Sequence, residues 1–395
     1  MNWVRAKVMA YSFLKPSAEV AALVAAEGQP GTENQTIETS ATATLHGREL
    51  HGRELHRRED KSAWRAPGKY FERRMFTDGV MTMPDGTDVA YWGFEDPVAA
   101  PGEKTFPSPV IRLREGEVAH VKLETLCDGT SLAPNAQTET YNGGLGRSWC
   151  SKSAGARAVQ KRESYIYQWQ PKRAGTWLYQ SHLSAARHFE MGLFGLLIVD
   201  PEPEADGLLR AYRGGPAYNV ERCWVLDDID PDWHAGAGFV AGASSAERER
   251  PFIPKYFLIN GVPNTEAMHD ERVAIDAKAG DKVLIRLLNA SFSLVRVKIE
   301  GLQGQIISVD GKALASAEHP WTKWSPVKPT HPIYLATGAR NDILIDLDPE
   351  KSGIVARGDY LVTFEFLDWE KRAIRNAQAT SPVHIGRAVT RIRVT

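Results

Sequence analysis

Short runs in which apolar and polar residues alternate recur along most of this chain, bounded by Gly, Pro and Asp-Gly turns. The first such run is Val89-Ala-Tyr-Trp-Gly-Phe94, between the turn chemistry of Phe76-Thr-Asp-Gly79 and Met83-Pro-Asp-Gly86 and a Pro-rich stretch from Pro97 to Pro109. Val110-Ile-Arg-Leu-Arg114 and Val118-Ala-His-Val-Lys-Leu-Glu124 flank a Glu-Gly turn and predict two half-buried antiparallel strands, with His120 as a partly exposed strand residue. Ser164 to Trp169 predicts another strand. Thr176 to Ser181 and Gly195 to Val199 predict two more, joined by a loop that carries His182, His188 and Met191, with Gly192 and Gly195 as tight-packing positions.

From Val220 the pattern restarts. Strands are predicted over Val220 to Leu226, Tyr256 to an Asn260-Gly261 turn, Val283 to Asn289, Leu294 to Glu300, Gln305 to an Asp310-Gly311 turn, Ile333 to Leu335, Asp342 to Asp346 and Gly358 to Phe366. No helical period lasts beyond a turn or two, so the fold class is all-β, a β-sandwich or Greek-key barrel. Residues 1–65 read as an appendage: one short amphipathic helix within Met1 to Ala26, then a Gly/Thr/Ser-rich stretch. The duplication His46-Gly-Arg-Glu-Leu50 and His51-Gly-Arg-Glu-Leu55 follows; its histidines share no helix face, and it reads as solvated. Residues 66–203 form a first domain, 204–218 a linker and 219–395 a second domain.

Composition narrows the function classes. With 395 residues, 43% of them apolar and including 11 Trp, 12 Tyr and 13 Phe, the chain can fill two cores. Lys plus Arg (48) balance Asp plus Glu (49), so no global field points to nucleic acid or an anionic membrane as partner. No apolar run is long enough to span a membrane. Arg5, Lys7, Lys15 and Glu19 break up the stretch a secretory signal needs, so the sequence by itself points to the cytoplasm. Cys127, Cys150 and Cys223 are widely spaced and form no CxxC, so free buried thiols are expected, with a Cys127–Cys150 disulfide as the alternative in an exported protein.

The segment Gly175-Thr-Trp-Leu-Tyr-Gln-Ser-His182, followed by His188, Met191-Gly192-Leu193 and the closing strand Gly195 to Val199, closely resembles the copper-ligand segment of the multicopper oxidase and cupredoxin family. So do Pro109 to Glu117 and Tyr165 to Thr176, which match a first cupredoxin domain. Leu258 to Gly261, Ala279 to Ala290, Val309 to Gly311 and Gly338 to Ile345 are similar to the family's second domain. The resemblance covers about Tyr70 to Thr395 and implies two Greek-key cupredoxin-like sandwich domains in tandem. It leaves no room for a third. It also implies copper as cofactor, and family members are usually exported.

Copper chemistry of this kind needs imidazole and thiolate donors in paired His-x-His motifs. None of the 11 histidines has another two residues away. Gln180 stands where the family has His, and Ser181 where the blue-copper form has Cys. Gln137 to Gly143 replaces the expected first-domain His-x-His, and Leu193 takes the place of an axial Met. His182, His188 and Met191, with Glu190 nearby, are the donors left for one residual copper; the alternative is that the histidines are hydrogen-bonded in the loop and Met191 fills core. The expectation is therefore a binding or assembly module depleted of copper ligands. Its surface is the loop end of the first domain, Gln137 to Gly146 and His182 to Met191, together with the domain interface, facing a protein partner or a second copy. The competing expectation is an oxidoreductase whose residual copper site at His182 and His188 is completed by another subunit. Trp233-His234 and Met268-His269-Asp270 read as surface loops. No Walker loop or dinucleotide fingerprint supports a phosphate-bearing cofactor.

Overall fold

The computed structural model describes residues 43–45, 48–50, 65–125, 133–134, 138–140, 163–181, 185–235, 252–264, 266–328, 330–349, 357–368, 373–375 and 386–395. The chain divides into two compact units, Met1–Arg58 and Glu59–Thr395. In the first, Ala43–Leu45 pairs antiparallel with Arg48–Leu50. Everything below concerns the second.

That unit holds two β-sandwiches. The first sets a five-stranded sheet, in the order Asp88–Glu95, Lys69–Thr82, Ala119–Thr125, Glu163–Pro171, Thr138–Thr140, against a four-stranded sheet of Ser108–Arg114, Phe194–Asp200, Gly175–Gln180 and Ala133–Pro134. Between them lie Met75, Phe94, Ile111, Leu113, Val121, Leu123, Tyr167, Trp169, Trp177 and Tyr179, all buried. In the second sandwich, a large sheet running through Tyr256–Ile259, Val220–Ile229, Lys282–Asn289, Arg340–Asp346 and Gly304–Val309 faces a sheet of Ile275–Ala277, Arg387–Val394, Gly358–Leu367, Leu294–Ile299 and Ile333–Leu335.

Two expectations about the first sandwich are corrected. The runs around Glu115-Gly116 do not pair with each other: Ser108–Arg114 lies parallel to Phe194–Asp200, and Ala119–Thr125 pairs with Lys69–Thr82 and Glu163–Pro171 in the opposite sheet. The turn carries the chain across the sandwich, because each strand's single apolar face must look into the same core from opposite sides. Phe76 to Gly79 is not a turn either. It is an irregularity within Lys69–Thr82, where the register against Asp88–Glu95 shifts. The Asn260-Gly261 and Asp310-Gly311 turns fold as expected. In both, the two residues have positive φ, which the right-handed twist of a two-residue hairpin requires.

The strands between the sandwiches are buried on both faces, which gives them near-continuous apolar runs. In Lys282–Asn289, Val283, Ile285 and Leu287 enter the second sandwich's own core, while Leu284 and Leu288 join clusters shared with the first. In Gly175–Gln180, Trp177 and Tyr179 point into the first core, and Leu178 packs with Phe194, Leu196, Val225 and Leu288. The approach is close enough to demand glycine: a Cβ on Gly311 would lie 2.4 Å from the Trp177 ring, and one on Gly175 would lie 3.0 Å from the Gly311 Cα.

At the centre of this seam stands Arg286, fully buried. Its Nε donates to Glu221 (2.7 Å), its Nη1 donates to the Thr176 hydroxyl (3.0 Å) and lies 3.9 Å from Asp342, and its Nη2 lies 3.9 Å from Asp200. Thr176 in turn donates to Asp342 (2.5 Å). Arg112 closes the network from the first sandwich, contacting Asp200 and Glu221 at 2.6 Å each. Burial alone would raise the Glu221 carboxyl, but the Arg286 charge and the Arg112 hydrogen bond outweigh it and hold it down at about 2. Asp342, more deeply buried, is pushed up in spite of Arg286. Glu221 is therefore the stronger carboxylate partner.

Replacing Arg286 by Met leaves Asp342 buried without its cation and Glu221 with Arg112 alone, and is expected to cost roughly 3–5 kcal/mol in urea denaturation. Glu221 binds its proton less readily folded than unfolded, so its contribution is present above pH 4.5 and is lost as pH falls toward 2. The Glu221→Gln chain should show a flatter decline of stability across that window; an unchanged slope would remove Glu221 from the account.

Candidate functional site

The segment after Gly175–Gln180 turns through Ser181 into a six-residue helix, α1 (Ala185–Glu190), and returns through Met191 and Gly192 to Phe194–Asp200. The expected loop thus contains a helix. Its ends are tied by Ser181 N–H to Leu193 O (2.9 Å) and Leu193 N–H to His188 O (2.8 Å). Trp92 N–H donates to Met191 O at 2.7 Å and fixes the turn to strand Asp88–Glu95. Gly192 has a φ of 107°, and a Cβ there would meet Phe106 and the Trp92 carbonyl at 2.6 Å.

His188 is buried, and its Nδ1 lies 2.7 Å from the Ser181 hydroxyl. Trp92 meets the ring edge to face at 5.6 Å, and the Arg187 guanidinium stacks over Trp92 at 4.7 Å. Burial, helped by the Arg187 charge, pushes the imidazole down to about 4, so it is neutral at physiological pH. Met191 is buried beside it in sequence. His182 and most of Gln137 to Gly146 lie outside the described residues, as do Cys127, Cys150, His46, His51 and His56. Cys223 is a free thiol, which burial pushes up to about 12, making it a poor nucleophile.

Two histidines read as surface or partly exposed groups are neither. His120 is wholly buried, with Nε2 3.0 Å from Gln168 Oε1 on the paired strand. His234 ends the short helix α2 (Pro231–His234), whose N-terminus is capped by Asp230 with Pro231 following, and it is also buried. Its Nδ1 lies 2.6 Å from Ala90 O, and since a carbonyl only accepts, the proton sits on Nδ1. Its Nε2 is 3.5 Å from Glu190 Oε1, at the end of α1. Burial lowers the His234 imidazole, with the Ala90 hydrogen bond opposing. Glu190 thus meets His234 across the junction of the sandwiches. The sequence cue is Asp230-Pro231, a helix start that sets the direction of His234.

Among the described residues no three of His, Cys, Asp and Glu converge as a metal requires. Of the expected donors, His188 has Nδ1 occupied by Ser181, and Met191 is a weak ligand on its own.

A family model described as multicopper oxidase matches residues 99–204, which contain this segment. The chain is 32% identical over 161 residues to an L-ascorbate oxidase of Cucumis sativus; that match covers 40% of this chain and 24% of the relative, about a quarter of its length. The fold matches a blue copper oxidase from Nitrosomonas europaea with a TM-score of 0.58 at 19% identity, over 82% of this chain and 86% of that one. A copper nitrite reductase from the same organism matches with a TM-score of 0.55 at 16% identity, over 83% and 93%. Residues 99–204 are thus similar to a multicopper oxidase domain. At the low identities of the solved structures, what is shared with them is the cupredoxin-like sandwich fold.

His188 binds its proton less readily folded than unfolded, so the stability it contributes is present above pH 6.5 and is lost as pH falls toward 4. An imidazole titration by NMR should find His188 neutral down to about pH 4. Ser181→Ala should cost about 1–3 kcal/mol in thermal denaturation by stranding Nδ1. A His188 midpoint near 6.5 would mean that the ring is solvated and the packing described here is wrong.

Proposed function

We propose that this chain uses the multicopper oxidase scaffold as a binding or assembly module, without a complement of copper sufficient for oxidase chemistry. The observation that carries the reading is the hydrogen bond between Ser181 and His188: the hydroxyl stands where a blue-copper relative has its thiolate, and it takes up the neighbouring imidazole as well. The absence of any His-x-His pair among 11 histidines supports it, since a trinuclear cluster is assembled from such pairs. The binding surface on this reading is the loop end of the first sandwich, Gln137 to Gly146 and His182 to Met191, facing a protein partner or a second copy. The domain bounds that go with it are 66–203 and 219–395, joined by 204–218.

A second reading is favoured by one specific fact. His188 is held neutral by burial, which is the state in which an imidazole binds copper. On that reading His182 and His188 share a single copper completed by another subunit, and the chain is an oxidoreductase.

Copper reconstitution followed by dialysis and metal analysis separates the two. The first reading expects well under one copper per chain, no oxidase activity toward a phenol, and unchanged thermal stability in chelator. Stoichiometric copper that is lost in both His182→Ala and His188→Ala, together with phenol oxidation, would replace it with the second.

A further inference from the structure

Away from Ser181 to Leu193, the seam between the sandwiches opens into a cleft of about 630 Å³. That is within the range of small-molecule sites, which occur preferentially where domains meet. Its walls come from the Glu115-Gly116 turn and the Lys172-Arg173-Ala174 turn of the first sandwich, residues 212–214, and the turns at residues 311–313 and 316–319 of the second. Three observations define what it would hold.

The inner lining is apolar: Ala174 and Tyr212 belong to the buried cluster of the seam, and Ala313 packs against it. An aromatic border stands beside it, with Trp324 Nε1 donating to the Tyr212 hydroxyl at 3.0 Å and Trp321, 76% exposed, edge to face on the lining His319 at 5.7 Å. The rim is cationic where it is not already paired. Arg173 is held by Glu318 at 3.1 Å, and Glu115 accepts from the Ala174 N–H at 2.8 Å. The side chains of Arg213 and Lys312 have no hydrogen bond or ion pair among the described residues. Glu202 on the same rim limits the positive charge, which favours a ligand with one negative charge over a polyphosphate.

We infer that this cleft is a binding site for a small organic monoanion with a flat apolar body, an aromatic carboxylate in chemical class. The carboxylate is held by Arg213 and Lys312, and the ring lies on the Ala174, Tyr212 and Ala313 lining. The site is separate from the Ser181–Leu193 segment and stands whether or not copper binds there.

The test is calorimetric titration of the full chain, copper-free and copper-loaded, with benzoate, benzyl alcohol and pyrophosphate. Benzoate should bind saturably in both preparations and more weakly at high salt. The double variant Arg213→Gln, Lys312→Gln, with both changes on exposed side chains, should keep its melting temperature and lose about tenfold in benzoate affinity. Benzyl alcohol should bind at least about tenfold more weakly than benzoate. No saturable benzoate binding, equal affinity in the double variant, or benzyl alcohol or pyrophosphate binding as tightly as benzoate would each overturn the inference. Because the copper-free and copper-loaded preparations are read separately, failure here leaves the copper question to its own measurement.

Discussion

Arg286 is the residue the two sandwiches are built around. A guanidinium cannot give up its charge and carries five donors, so a strand that buries one must gather acceptors wherever it lies. Glu221 and Asp342 come from the strands beside it in the second sandwich, and Thr176 and Asp200 come from the first. Such networks add little net stability over well-packed apolar residues, because desolvation consumes most of the attraction. What this one imposes here is register. Leucines sliding over one another lose little, whereas a shift of one strand against the other would leave Arg286 buried without partners. Strand Gly175–Gln180 is thereby fixed against the second sandwich, and its last residue leads directly into Ser181. The position of His188 follows from that constraint.

The parts of the fold legible in the sequence were those whose cause is local. The Asn260-Gly261 and Asp310-Gly311 turns require residues that accept positive φ, and the doubly apolar runs at Gly175–Gln180 and Lys282–Asn289 announce strands covered on both faces. What failed depended on distant partners. Alternation around Glu115-Gly116 shows that each strand has one buried face, yet it cannot show that the two faces approach a shared core from opposite sheets. His120 and His234 read as exposed because a buried imidazole needs a hydrogen-bond partner, and theirs, Gln168 and Ala90, lie 48 and 144 residues away. In the candidate site, the sequence gives the hydroxyl and imidazole of Ser181 and His188; only the packing under Trp92 shows that they face each other and that the ring is kept neutral.

That pairing matters for how a metal scaffold changes use. A hydroxyl is a weak ligand for copper compared with a thiolate, so exchanging one for the other weakens the site at one position. On the proposed reading, the Ser181 hydroxyl that stands in place of a thiolate also bonds the His188 imidazole, so a second donor is engaged by the same residue. The imidazole's need for a partner at Nδ1 is, on that reading, met within the protein rather than by a metal. On the proposed reading, fold and stability are therefore separable from copper, which is the condition under which a scaffold can carry a different activity.

The cleft follows from the same geometry. Gly311 and Gly175 approach so closely that neither sandwich can roll toward the other on that side without a clash against Trp177, while the Arg286 network prevents them from sliding. The walls of the cleft are thus set by contacts below it, and a ligand entering would order little of the chain. Association then loses less to conformational entropy than it would in a mobile loop, so even a few contacts suffice for measurable affinity. A small anion is a physically reasonable occupant for a second reason. Arg213 and Lys312 both line the rim, and a carboxylate bound there would give a partner to two side chains that have no hydrogen bond or ion pair among the described residues.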